Sequence, residues 1–168
     1  MSASHSNNVS VALVAGSLLL SLAGGCSSSS DDTGSSGGSS GALQSTACSQ
    51  DTRKDVYTAG LSKKNDALTV MIVESTPSPP KKGTNTMLLQ IADAAGKPVE
   101  GATVSVTPYM PDHAHGSAVV PAVTPMGEGK YAVAKLYYPM PGLWKVTVTV
   151  QTPNAAPQEV AFNFCFDG

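Results

Sequence analysis

"LWKVTVTV", residues 143–150, decides the fold class. In an extended chain, successive side chains point to opposite faces. Trp144, Val146, Val148 and Val150 then share one face, and Lys145, Thr147 and Thr149 share the other. That is a strand with one side in a core and one side toward water, with Trp144 at the start of the core face.

The same alternation recurs on either side. "VAFNFCF" (160–166) sets Val160, Phe162, Phe164 and Phe166 inward and turns Cys165 away from the core. "ATVSVTP" (102–108) places Ala102, Val104 and Val106 inside and Thr103, Ser105 and Thr107 outside. "GKYAVAKLYY" (129–138) has Tyr131 and Val133 inward, with a bulge expected before Leu136. "LTVMIVE" (68–74) is a nearly continuous apolar run, which predicts a strand covered on both faces. "TMLLQIAD" (86–93) is a further strand. "SAVVPAVT" (117–124) is broken by Pro121 and fits an edge strand at best. Gly/Pro clusters such as "DAAGKPVEG", "STPSPPKKGTN", "PMGEGK", "PMPG" and "TPNAAPQ" separate these runs. Short strands divided by such turns, with no clean helical period, predict an all-β antiparallel sandwich of about seven strands.

Upstream of this domain the composition changes. Residues 1–25 contain "VALVAGSLLLSL" followed by "AGG". The apolar run is too short to span a bilayer and has the length of a signal-peptide core, although its leading segment lacks Lys and Arg. "LAGGC" resembles the lipobox of bacterial lipoproteins, with Ala23 where a Leu is usual and Leu22 one place further back. The resemblance implies lipidation at Cys26 and a membrane anchor on the outer membrane, facing the periplasm or the cell surface. Residues 26–47, rich in Ser and Gly, read as a flexible tether with a reach of roughly 25 Å. The folded domain is then 48–168, long enough for a core.

Net charge is −2 with scattered charges, so no basic face is available for nucleic acid. Nothing in the sequence marks an assembly surface, and a monomer is expected. With Cys26 lipidated, Cys48 and Cys165 remain, one near each end of the domain. In an exported chain they read as a disulfide closing it. Free thiols or thiolate ligands are the alternative.

The chemistry-bearing stretch is "YMPDHAHG", 109–116. The chain has three histidines, and two of them, His113 and His115, stand here beside Met110. Following the strands from 102–108 upward, with 117–124 running down, brings Met140 of "YYPMPG" to the same end and sends Met126 to the opposite one; with 117–124 as loop only, the assignment reverses. Imidazole suits copper, zinc, iron and nickel, whereas thioether selects copper, above all Cu(I). Met110, His113, His115 and Met140 are therefore the candidate metal ligands, with copper the expected cofactor. Each Met precedes a proline, which favours extended geometry and would fix the thioethers on their loops. Core packing for the methionines and plain surface for the histidines are the competing readings. The domain at 48–168 has no Gly-x-Ser-x-Gly, Asp112 and His113 lack a third partner, and nothing marks Ser117 as a nucleophile. The chain is not expected to be an enzyme.

"DAAGKPVEGATVSVTPYMPDHAHG" (93–116) and "GEGKYAVAKLYYPMPGLWKVTVTV" (127–150) together resemble the YtkA-like family, related to FixH. The resemblance implies an immunoglobulin-like sandwich outside the cytoplasm. It also implies a link to copper, with a partner protein that donates or accepts the ion. It carries over to Met110, His113, His115 and Met140. FixH proteins have a transmembrane helix, where this chain has an expected lipid anchor. The alternative is a structural or protein-interaction module of the same fold that holds no metal.

Overall fold

The computed structural model describes residues 48–168. The expected signal peptide, Cys26 and the tether lie outside the described residues. Nine strands are present there: β1 (Leu61–Lys64), β2 (Leu68–Thr76), β3 (Gly83–Asp93), β4 (Thr103–Met110), β5 (His115–Gly116), β6 (Ala122–Gly127), β7 (Lys130–Tyr138), β8 (Gly142–Gln151) and β9 (Gln158–Phe166). They form two antiparallel sheets, ordered β1-β2-β3-β7-β6 and β5-β4-β8-β9. The two strands beyond the expected seven are the short β1 and β5. Among the described residues no helix is long and apolar enough to cross a membrane.

Alternation places the core. From β8 and β9, Trp144, Val146, Val148, Val150, Val160, Phe162, Phe164 and Phe166 are all buried. Val104 and Val106 join them from β4. Leu68, Val70, Ile72, Met87, Leu89 and Ile91 face them from the other sheet. Each such side chain contributes about 2 kcal/mol on burial. A half-exposed ion pair gives under about 1 kcal/mol. The two inner faces therefore hold the sandwich together.

Two expectations need correction. β2 is not covered on both faces: Leu68, Val70 and Ile72 are buried, while Met71 and Val73 are only half-buried. Its apolar outer residues lie at the surface because no third layer covers that sheet. The stretch 117–124 becomes a strand only from Ala122, and its first residues carry the chain from one sheet to the other.

The expected bulge in β7 is present. Val133 pairs with Met87 and Leu136 with Asn85, so Ala134 and Lys135 together oppose one residue of β3. Lys135 takes a positive φ of 57° there. The extra residue changes the phase of the strand. Tyr131 and Val133 point inward before it, and Leu136 and Tyr138 after it.

Cys48 and Cys165 are joined as a disulfide, with Cα atoms 5.3 Å apart. The segment leading from Cys48 then covers the free edge of β9. The Asp55 amide donates to the Asn163 carbonyl at 2.8 Å, and the Asn163 amide donates to the Asp55 carboxylate at 2.7 Å. The Asn163 side-chain amide donates to the Arg53 carbonyl at 3.0 Å. This strap occupies backbone groups that would otherwise be an open edge.

Candidate functional site

β4 and β5 form a hairpin whose last pair is Met110 opposite His115. The turn between them closes through the His113 amide, which donates to the Met110 carbonyl at 3.3 Å, and the Ala114 amide, which donates to Pro111 at 3.4 Å. Ala114 sits at φ 53°, and its small side chain eases that left-handed conformation. Directly opposed residues share a face of the sheet. Met110 and His115 therefore both look inward, Met110 into the core and His115 at its mouth, where it is half-buried. The His115 ring lies edge-on to Trp144 with centroids 5.8 Å apart. The exposed ring of His113 lies 5.9 Å from that of His115.

The His115 Nδ1 is 3.1 Å from the Gly116 carbonyl. A carbonyl oxygen only accepts, so Nδ1 carries the proton. The lone pair of Nε2 is then available to a ligand, the usual arrangement for a metal-binding imidazole.

The β7–β8 loop meets this hairpin from the other side. Met140 is half-buried against the core, and its carbonyl accepts the Trp144 indole N–H at 3.0 Å. Gly142 opens β8 with φ 118°. A side chain there would run into the terminal methyl of Met110. The missing Cβ is thus the recess in which the Met110 thioether lies.

The four candidate ligands are therefore gathered at one end of the sandwich. His113 and His115 are in ring contact, Met110 pairs with His115, and Met140 is tied to the same Trp144 that His115 touches. Met126 is at the far end, 62% exposed, beside the β6–β7 turn. One part of the expectation is corrected. Met110 is not on a loop: it ends β4 and is 1% exposed among core side chains, because the strand continues two residues past Pro108. Cys48 and Cys165 are consumed by their disulfide and are not thiol ligands.

Charge at this end is fixed by residues the sequence did not mark. Both carboxylate oxygens of Asp112 are held by Arg53, at 2.7 and 2.8 Å. The same guanidinium reaches Asp51 through Nε at 3.0 Å and a terminal nitrogen at 2.7 Å. Hydrogen bonds from Arg53 hold both carboxyls below the usual range, and the two carboxylates raise the Arg53 pKa. Asp112 is thus committed to an ion pair rather than free as a base. Tyr138, packed between Trp144 and Phe166, is fully buried, and burial pushes its phenol pKa well up. Arg53 and Asp112 are 59 residues apart, and no local pattern announces their pairing. Gly142 does have a signal, the Met-Pro-Gly run, because a glycine at the start of an otherwise β-branched strand marks a close approach.

No group of three or more His, Cys, Asp or Glu suited to a metal ion occurs among the described residues. Any ion held at this end would need sulfur from Met110 or Met140 beside the two imidazoles. That donor set fits copper better than zinc or a hard cation.

Fold and site together define a two-sheet antiparallel β-domain with nitrogen and thioether donors gathered at one end. The chain belongs to the YtkA-like family, whose model matches residues 62–149. No curated protein matches it. Among solved structures it is similar to a DUF4426 family protein from Pseudomonas aeruginosa, at 18% identity over 62% of this chain and 94% of that one, with a TM-score of 0.45. It is also similar to a copper-bound variant of FetP from uropathogenic Escherichia coli, at 15% identity over 67% of this chain and 97% of that one, with a TM-score of 0.46. As-isolated FetP aligns at 16% identity over 65% of this chain and 94% of that one, with a TM-score of 0.41.

Proposed function

We propose that this protein is an exported domain that binds copper and passes it to, or takes it from, a partner protein. The ligands are His113 and His115, completed by the thioethers of Met110 and Met140. One observation carries the reading: His115, with its Nε2 lone pair free, stands directly opposite Met110 at the mouth of the core. Copper, when bound, is a soft acceptor for imidazole and thioether lone pairs. The chain's own residues do the rest. Gly142 makes room for the Met110 side chain, and Trp144 backs His115 while fixing the Met140 backbone. Arg53 keeps Asp112 from competing as a hard oxygen donor. Exposed His113 is the group a partner would reach first.

Export is supported by the disulfide, which persists in oxidising compartments. Lipidation at Cys26 and the 26–47 tether would hold the domain at the outer membrane, within reach of a membrane-bound donor or acceptor of copper. No catalytic role is proposed.

The test is competition for Cu(I) between the protein and a chromogenic chelator. The intact protein should retain copper, and His113→Ala should weaken retention at least about tenfold, the scale of losing one ligand bond. Met140→Ala should weaken Cu(I) more than Cu(II). Unchanged retention in His113→Ala would remove the basis of the proposal and leave an interaction module.

A further inference from the structure

The Cys48–Cys165 bond stands at the same end of the sandwich as the candidate ligands, and both ligand-bearing loops lean on it. Cys48 begins the strap that carries Arg53, and Arg53 grips Asp112 on the turn between Met110 and His115. On the other side, Cys165 pairs with Leu143 and Phe166 with Gly142. The end of β9 therefore lies along the start of β8, where Gly142 shelters Met110. Asp167 accepts the Cys48 amide at 3.1 Å, and a side chain at Gly168 would stand 3.3 Å from Pro141 Cγ. The segment after Cys165 is thus held by Cys48 and rests against the loop of Met140.

The bond is also placed for attack. Cys48 is buried, but Cys165 is half-buried on the outer face of β9. Cys165 lines an open cavity of about 370 Å3 together with Lys81 and Lys82. Buried Asn85 fixes that lysine loop: its side chain accepts the Lys81 amide at 2.9 Å and donates to the Lys81 and Gly83 carbonyls at 2.7 and 2.9 Å. The ammonium of Lys54 donates to the Cys48 carbonyl. Three lysines thus stand about the bond, against the one carboxylate of Asp167. Cations favour thiolate over thiol, both on an attacking group and on the sulfur that leaves. A bond that only staples the chain needs neither the cavity nor the lysines.

We propose that Cys48–Cys165 is a thiol-exchange site, opened by the dithiol of a partner protein, and that opening it loosens both loops of the candidate metal site. A partner thiolate attacks Cys165 Sγ from the cavity. The Cys48–Cys165 bond breaks, a mixed disulfide forms on Cys165, and Cys48 leaves as thiolate and takes a proton. The partner's second thiolate then attacks its own sulfur in the mixed disulfide and releases Cys165, which is protonated in turn. Two electrons and two protons have passed to this chain, and the partner departs as a disulfide. The inner faces do not contain the bond, so the sandwich stays folded. The Arg53–Asp112 pair is half exposed and weak by itself, so its grip depends on the strap being tied down. With Cys48 free, Asp112 and the His113 turn lose their anchor, and the segment at Asp167 loses its hold on the Met140 loop. Weaker copper retention follows. That consequence rests on the function proposed above, whereas the exchange and the loosening do not.

The test uses the metal-free full chain in non-ionic detergent, treated anaerobically with dithiothreitol without denaturant and then alkylated. Mass mapping should find both Cys48 and Cys165 alkylated while the β-sheet circular dichroism is unchanged. Alkylation only after urea unfolding overturns the proposal. In the reduced protein, trypsin should cut after Arg53 or Lys54 roughly tenfold faster or more, as expected of a released strap. Hydrogen exchange should rise at the His113 amide and the Trp144 indole N–H, whose acceptors are the Met110 and Met140 carbonyls. Exchange in the middle of β8, at Val148, should not change. Equal cleavage and exchange in both redox states overturn the proposal, and so does a rise at Val148 equal to that at His113, which would mean general unfolding. Copper is measured on paired Cys48→Ser and Cys165→Ser, because free thiols would bind Cu(I) themselves. That variant should retain Cu(I) roughly tenfold more weakly than the native protein. If native protein holds no copper, the functional reading fails, and cleavage and exchange still decide this one.

Discussion

A methyl group added at Gly142 would enter the space of the Met110 methyl, on a backbone at φ 118° that L side chains rarely adopt. Both effects act at once, because Met110 is locked in the core and cannot yield far. Gly142→Ala should therefore destabilise the domain by about 2–4 kcal/mol. The urea midpoint measures this, and a fall of under about 0.5 kcal/mol would show that the thioether moves freely. The same variant should weaken Cu(I) retention, because it displaces a proposed ligand. The residue scale also shows where local reading stops. That His113, His115 and Met110 are neighbours is plain from 109–116. That Met110 points inward, directly across from His115, depends on where β4 ends, and Pro108 gave a misleading hint that the strand stops there.

Elements are joined at the pole by one guanidinium. Arg53, on the strap, grips Asp112 on the β4–β5 turn and Asp51 on its own segment. Both carboxyls have folded-state pKa values below their usual values. The stabilisation is complete above the unfolded value of about 4 and is lost as the pH falls through the folded values. Arg53→Ala should therefore flatten the acid limb of the stability profile below about pH 4. The whole of the loss appears above about pH 5, kept modest because the Arg53–Asp112 pair is half exposed, and the two profiles should converge as the pH falls. Thermal midpoints across the pH range measure this, and parallel profiles for native and variant protein would contradict it. Strand identities and faces were legible in the sequence for β4, β7, β8 and β9, down to the phase change before Leu136. β2 was misread because an apolar outer face looks the same in sequence whether or not a further layer covers it.

At the scale of the whole molecule the Cys48–Cys165 bond spans 117 residues of sequence. Closing a loop of that length removes on the order of 4–5 kcal/mol of unfolded-state freedom in the chain-entropy model. Reduction, or paired Cys48→Ser and Cys165→Ser, should lower the urea midpoint by that order while leaving the β-sheet circular dichroism intact, because the core does not contain the bond. The Asn163 amide, held by the strap, should lose hydrogen-exchange protection first. Loss of all sheet signal on reduction would show instead that the bond is required for folding. The sequence by itself determined the fold class, the inward face of most long strands, and the donor types within 109–116, because side-chain alternation and turn chemistry act over a few residues. The tertiary structure decided the rest: that Met140 shares an end with His115, that Gly142 shelters Met110, and that Arg53 finds Asp112. Each of those depends on where the chain crosses from sheet to sheet, and that is set by burying two inner faces against each other across the whole domain.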